Sequence, residues 1–426
     1  MPTPDISVPR RQAALALADQ IAESVAHLPD AAELVPEWRD QSLSKGAAGI
    51  AVLHAVQARA GIGGRDLAHA WLSRAARNAL NTGPSAGLWW GAPAVAFAIA
   101  VTAPDNPESG PPGGHYQSAR RALDTAVADL TRARLQAAAD RIAAAVRPPR
   151  AEYDLVSGLT GLGAYLLHRA PAGGLLRDVL TYLTRLADPV SAGDDAGAGV
   201  PGWWTSDIPL GRPEERFAGG HGDLGVAHGI TGPLALLSLA MRRGITVPGQ
   251  ADAIDRICRW LDHWQQDGPA GSWWPMRVPW PDVRAEQTTE DGPARPSWCY
   301  GTPGITRAQQ LAGLALGDTD RQHRAERVLL ACVSDPAQLG QLTDPALCHG
   351  WAGLVATVWH AAADASSPAL ASRLPGLVDT LITRTETAGA CPPWLIEGTA
   401  GVAVTLHILT HPSTAPAGWP TCLLLS

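Results

Sequence analysis

Apolar residues along this chain fall into short runs, and each run begins just after the same punctuation. Gly46–Gly49, Gly158–Gly161, Gly229–Gly232, Gly301–Gly304, Gly350–Gly353 and Gly398–Gly401 are glycine pairs three residues apart. Each opens an apolar stretch such as Ile50-Ala51-Val52-Leu53 or Leu354-Val355-Ala356-Thr357-Val358, and a degenerate seventh copy runs from Gly91 to Ala94. Between the copies, Gln117–Val146 and Ala251–Gln265 mix Arg and Asp with apolar positions at helical spacing and read as amphipathic helices. Small residues at i and i+3 share a helix face and let a second helix come close. Glycine inside a helix costs about 1 kcal/mol against alanine, so seven copies imply a return in packing or backbone freedom. Successive copies lie 45 to 72 residues apart, a period typical of helical arrays.

The pattern predicts an all-α fold of seven helical hairpins, an inner helix opening at each glycine pair and an outer helix covering it. Such a set closes most readily into an α/α toroid (barrel) with the inner helices around a central cavity; an open solenoid is the alternative. Residues 1–426 read as one toroid domain, with irregular insertions near 103–114, 188–216 and 265–297. Long loops in compact proteins are usually functional. The last two precede the fourth and fifth copies, which places them over the mouth that carries the glycine turns. Their tryptophan pairs, Trp203-Trp204 and Trp273-Trp274, read as exposed loop residues able to grip a peptide.

Charge and cysteine content remove several classes. The net charge is -7, Lys45 is the sole lysine, and no Lys/Arg-rich run offers a nucleic-acid surface. The six cysteines, Cys258, Cys299, Cys332, Cys348, Cys391 and Cys422, match no disulfide framework and read as reduced thiols in a cytosol. Met1–Ala18 lacks the apolar run of a signal peptide. Ala86–Ala103 is uncharged, but it contains Pro93 and is one of the repeat copies, so it reads as a buried helix rather than a transmembrane segment.

Aligning the copies on their first glycine exposes the candidate chemistry. The residue before that glycine is Lys45, Trp90, Ser157, His228, Tyr300, His349 and Glu397 in turn. One place earlier stand Ser44, Trp89, Val156, Ala227, Cys299, Cys348 and Ile396. A core would fill these positions with Leu, Val and Ala; here they carry thiols, imidazoles and charges. Cys299 and Cys348 occupy the same slot in neighbouring copies, and His349 follows the second. Two Cys and one His suit one Zn²⁺, and three protein ligands leave a fourth position open, as catalytic sites do. The competing reading is that these cysteines merely fill space.

Trp298-Cys299-Tyr300-Gly301 and Cys348-His349-Gly350 carry a family resemblance. It extends to Ser42-Leu43-Ser44-Lys45-Gly46, Tyr153-Asp154-Leu155-Val156-Ser157-Gly158, Ala227-His228-Gly229-Ile230-Thr231-Gly232 and Glu397-Gly398-Thr399-Ala400-Gly401. Over nearly the whole chain the sequence resembles the lanthionine synthetase C-like family, the lanthipeptide cyclases. The resemblance implies an α/α toroid that binds zinc through the two Cys and the His. It implies Michael addition of peptide Cys thiols to dehydroalanine or dehydrobutyrine in a dehydrated precursor peptide. Asp154 and His228 match the family's acid/base residues, Arg295 its arginine upstream of the first zinc cysteine, and Tyr300 its following tyrosine. The second copy departs, with Ala94 in place of glycine. No dehydratase domain is found, so the resemblance is to the stand-alone cyclases, which use a separate dehydratase. It implies a cytoplasmic location, with a membrane-associated biosynthetic complex as one setting.

Three other functions compete. One is a non-catalytic scaffold that binds a precursor peptide, and another is addition of a small thiol such as glutathione. The third is a toroid glycosidase or terpenoid cyclase. That last class needs converging acids, and Asp194-Asp195 has no matching partner motif. His228 could instead be a plain helix-start residue, Asp154 a helix cap, and Arg295 a solvated loop charge. Lys45 and Glu397, before the first and last glycine pairs, are expected to form an ion pair.

Overall fold

A computed structural model of the protein describes residues 6–27, 37–102, 116–190, 199–211, 214–411 and 418–426. The insertion near 103–114 and the Asp194-Asp195 pair lie outside the described residues.

Helices dominate, and every glycine mark starts one. In chain order they are α1 (Val8–Ser24), α2 (Ala47–Arg59), α3 (Arg65–Ala75), α4 (Ala92–Thr102), α5 (Gln117–Ala143), α6 (Arg150–Tyr153), α7 (Leu159–Arg169), α8 (Gly174–Leu186) and α9 (Thr231–Arg242). They continue with α10 (Gln250–His263), α11 (Trp280–Ala285), α12 (Thr302–Leu316), α13 (Thr319–Cys332), α14 (Pro336–Leu339), α15 (Trp351–Asp364), α16 (Leu374–Thr387) and α17 (Thr399–Thr410). The glycine-started helices are α2, α4, α7, α9, α12, α15 and α17. They are apolar and almost wholly buried; Ala92 to Val101 of α4 are buried without a break. Among the described residues no helix is long and apolar enough to cross a membrane.

The glycines answer a close approach of backbone to backbone. A Cβ at Gly301, where φ is +105°, would sit 2.5 Å from the Arg295 carbonyl oxygen. A Cβ at Gly304 would collide with the Trp298 carbonyl oxygen. In both cases the obstructing carbonyl lies six residues upstream. The same offset recurs at Gly49, Gly232 and Gly401 against Leu43, Val226 and Leu395. The connecting loop therefore folds back over the start of its own helix, leaving room only for hydrogen.

Chain contacts divide the protein into two compact units. The first comprises Met1–Leu130, Leu342–Asp364 and Ala371–Leu423. Within it α15 packs on α17, α17 on α2 and α2 on α4, while α3 covers α2 and α16 covers α15. The partner of α17 is α1, from the opposite end of the sequence. The second unit comprises Thr131–Gln341, Ala365–Leu370 and Leu424–Ser426. Here α7 packs on α9 and α9 on α12, and α8, α10 and α13 back them.

The described parts of the other two insertions, both in the second unit, hold short antiparallel pairs. β1 (Pro189–Val190) pairs with β2 (Val200–Pro201), β3 (His221–Asp223) with β6 (Arg277–Pro279), and β4 (Gln266–Gly268) with β5 (Gly271–Trp273). Their tryptophans correct the expectation of exposed grips. Trp203, Trp204, Trp273 and Trp274 are all buried. Trp203 meets Trp260 edge-on at 5.9 Å, Trp204 meets Trp280 in the same way, and the Trp274 indole donates to the Leu261 carbonyl at 2.7 Å. Large aromatic area gains more inside than in water, so these side chains turn inward, Trp203 and Trp274 against α10 and Trp204 against α11.

Two buried imidazoles make stability depend on pH. His221 and His407 have no hydrogen-bond partner on either ring nitrogen, and burial pulls both pKa values down to about 4. Unfolded imidazoles bind protons near pH 6.5 that the folded ones refuse. Stability held above that pH is therefore lost as pH falls towards 4, by up to about 3 kcal/mol for each group. Urea unfolding at pH 7.5 and pH 4.5 should show a lower midpoint in acid, and His407→Leu should shrink the difference. An equal difference in the variant would contradict this.

Candidate active site

The loops before the glycine-started helices are tied to one another by backbone hydrogen bonds. In the first unit Leu43 N–H donates to the Trp89 carbonyl (3.1 Å), Ile396 N–H to Ser44 (3.2 Å), and Cys348 N–H to Ile396 (2.9 Å). In the second, Leu155 N–H donates to the Ala227 carbonyl (3.2 Å) and Val226 N–H to Cys299 (2.9 Å). These bonds hold the aligned slots side by side. The residues just before the glycines remain accessible although the helices they precede are buried: Lys45 is exposed, and Trp90, Ser157, His228, Tyr300, His349 and Glu397 are half-buried. Lys45 and Glu397 form the expected ion pair, Nζ to Oε2 at 2.5 Å.

Cys348 and His349 stand together before α15 in the first unit, and Cys299 holds the matching slot before α12 in the second. Two thiols and an imidazole are the soft and borderline donors that zinc takes, so the residues present fit the metal that the sequence implies. His349 Nε2 lies 3.6 Å from Asp344 Oδ2, within range of charge attraction though too long for a hydrogen bond. Asp344 is anchored in turn, its Oδ1 accepting from the Ala346 N–H at 2.9 Å. Cys258, Cys332 and Cys422 are inert by contrast, because burial raises each thiol pKa.

Asp154 divides its two oxygens between backbone amides and an imidazole. Oδ1 accepts from the backbone N–H groups of Ser157 (2.6 Å) and Gly158 (2.9 Å), closing the turn into α7. Oδ2 lies 2.7 Å from Nδ1 of His228. The carboxylate is buried, whereas the imidazole side chain is 38% exposed. A buried carboxylate at that distance fixes Nδ1 as the donor and leaves Nε2 free to exchange a proton with a reactant.

Tyr300 points elsewhere. Its hydroxyl donates to Oδ2 of the fully buried Asp223 at 2.9 Å. Arg277 donates to the same oxygen through Nε (3.2 Å) and reaches the Tyr300 hydroxyl through Nη2 (3.4 Å). Burial, and then the Asp223 carboxylate, raise the phenol pKa well above its usual value, so its proton stays in place near neutrality. Burial opposes the Arg277 charge, but Asp223 and Tyr300 outweigh it and raise that pKa too. Arg295 is half-buried, and its guanidinium makes no hydrogen bond or ion pair with the described residues. Asp223, Arg277 and Asp344 were not singled out by the sequence. The signal for both acids lay six places before the first glycine, outside the two aligned columns.

The family model described as lanthionine synthetase C-like protein matches residues 37–424. The chain belongs to that family. Nisin biosynthesis protein NisC of Lactococcus lactis subsp. lactis is 24% identical over 214 residues. That match covers 49% of either protein, so the chain spans about half the length of this curated relative. The solved structure of nisin cyclase superposes with a TM-score of 0.72 at 18% identity, covering 98% of both chains. The fold is thus the α/α toroid that the glycine pattern predicts.

The Asp154–His228 geometry predicts a tautomer. Nitrogen-15 shifts of the neutral imidazole should report a proton on Nδ1, moving to Nε2 in Asp154→Asn, whose amide can donate to Nδ1. An unchanged tautomer in the variant would show that Asp154 does not set it.

Proposed function

We propose that the protein is a zinc-dependent lanthipeptide cyclase, with Cys299, Cys348 and His349 holding one Zn²⁺ per chain. Its substrate is a dehydrated precursor peptide supplied by a separate dehydratase in the cytoplasm. Ring closure adds a peptide Cys thiol to dehydroalanine or dehydrobutyrine and forms lanthionine or methyllanthionine. The observation that carries this reading is that equivalent loop slots hold two thiols and an imidazole, the donors of a zinc site, in a chain that belongs to this family.

The reaction sets the tasks. The thiol gives up its proton, an S–Cβ bond forms as the Cα=Cβ π bond opens, and a proton returns to Cα. A free thiol has a pKa of about 8.5, so only a few per cent is thiolate near pH 7. Zinc, when bound, supplies the positive charge that keeps a thiol deprotonated at that pH. His228 delivers the proton to Cα from Nε2, while Asp154 holds Nδ1 and orients the ring. Arg295, with no ion partner among the described residues, is available to the enolate oxygen that develops on the acceptor amide. Tyr300 donates its hydroxyl proton to Asp223 and does not act as an acid. Holding thiolate and alkene together supplies the largest gain, since effective molarities of oriented reactants are very high.

Purified protein should carry one zinc per chain, and Cys299→Ala and Cys348→Ala should each lose it. His228→Ala should retain the metal yet slow ring closure by about 10²- to 10⁴-fold. Metal-free wild-type protein that closes rings at full rate would contradict the proposal.

A further inference from the structure

One fully buried carboxylate of the second unit, Asp223, has no part in the chemistry proposed above. Asp223 ends β3, has no solvent exposure, and accepts three hydrogen bonds. Oδ1 accepts from the Gly225 N–H at 3.0 Å. Oδ2 takes Tyr300 and Arg277, and Arg150 Nη1 stands 3.8 Å away. The Arg277 guanidinium also lies over the Tyr300 ring, 5.2 Å from its centroid. A Cβ at Gly225 would come within 2.6 Å of that ring, so the tyrosine packs where only a residue without a side chain fits.

These contacts join two loops that carry different parts of the chemistry. Asp223 to Ile230 leads into α9 and contains His228; Arg295 to Gly301 leads into α12 and contains Cys299. Two backbone N–H groups, of Val226 (2.9 Å) and Ala227 (3.4 Å), already donate to the Cys299 carbonyl and link them. Bonds that converge on one oxygen leave a hinge. The Tyr300 hydroxyl on Asp223 adds a second point, and Arg277 braces both its ends, so the two loops lose their freedom to rotate. Stability alone gives little reason for such a device, because a buried ion pair is often no better than well-packed apolar side chains. A charged cluster does fix direction, as partners of metal ligands commonly do.

We infer that Asp223, clamped by Arg277 against Tyr300, is a positioning residue that holds the Cys299 loop in register with His228. The inference rests on the cyclase reading and extends it to residues that touch neither metal nor substrate. Asp223→Asn keeps the size of the side chain and an oxygen for Gly225 but removes the charge that gathers Arg277 and Tyr300. Tyr300→Phe removes only the hydroxyl link and avoids leaving a buried charge unpaired.

Both variants and the wild type are loaded with Co²⁺, whose visible bands report the geometry of its thiolate ligands, and separately with Zn²⁺ for turnover. The expected result is one cobalt per chain throughout, with bands shifted in both variants. Turnover of the zinc forms should fall by about ten- to a hundredfold, with KM for the dehydrated precursor unchanged within about threefold. Loss that tracks only the folded fraction would overturn the inference. So would wild-type bands and turnover in Tyr300→Phe, or loss of cobalt in step with activity. Zinc-loaded wild type that closes no rings counts against the cyclase reading, and the cobalt bands then still judge the register. A wild type that takes up no cobalt overturns both.

Discussion

Everything distinctive in this protein depends on how closely each connecting loop folds over the start of the helix it feeds. A carbonyl six residues upstream presses on the glycine so tightly that any side chain would collide, as at Gly301 and Gly304. That crowding fixes the path of the loop. A fixed path lets neighbouring loops exchange backbone hydrogen bonds, such as Cys348 to Ile396 and Val226 to Cys299. It also leaves the residue before the glycine accessible on an otherwise buried helix. Seven such positions can therefore carry polar groups without a desolvation penalty in the helical core.

Paired acids complete the arrangement. Six places before the first glycine stand Asp40, Glu152, Asp223 and Asp344 in four of the copies. Each has a cationic or imidazole neighbour: Arg74 for Asp40, Arg141 for Glu152, Arg277 for Asp223 and His349 for Asp344. Two of these pairs anchor helices, one braces Tyr300, and one adjoins a candidate zinc ligand. Asp154, two places further along its loop, serves both ends, with one oxygen on backbone amides and the other on His228. The same loop geometry thus anchors helices in some copies and holds candidate reactive groups in others.

Much of this was legible in the sequence because it is local and periodic. Glycine spacing located all seven buried helices, and the aligned slots brought out Cys299, Cys348, His349, His228 and the Lys45–Glu397 pair. Asp154, Arg295 and Tyr300 came from motif resemblance. What escaped was long-range. Nothing in the polarity of Val8–Ser24 says that it will cover α17, some 390 residues away. The paired tryptophans looked exposed because their segments are rich in Pro and Gly, yet Trp203 and Trp260 find each other through the tertiary fold. Asp223 meets Arg277 across the β3–β6 pairing, which no periodicity in either insertion announces.

The central claim is that a chain with this site converts peptide thiols into thioethers within the same peptide. Alkylation of free thiols followed by mass spectrometry reads this directly. A dehydrated precursor is incubated with the zinc-loaded protein in the presence of glutathione, then treated with a thiol alkylator. The account predicts an unchanged precursor mass with no alkyl groups added, because cyclisation consumes thiols without changing mass. Full alkylation of every cysteine, or a mass raised by glutathione on the dehydro residues, would contradict it.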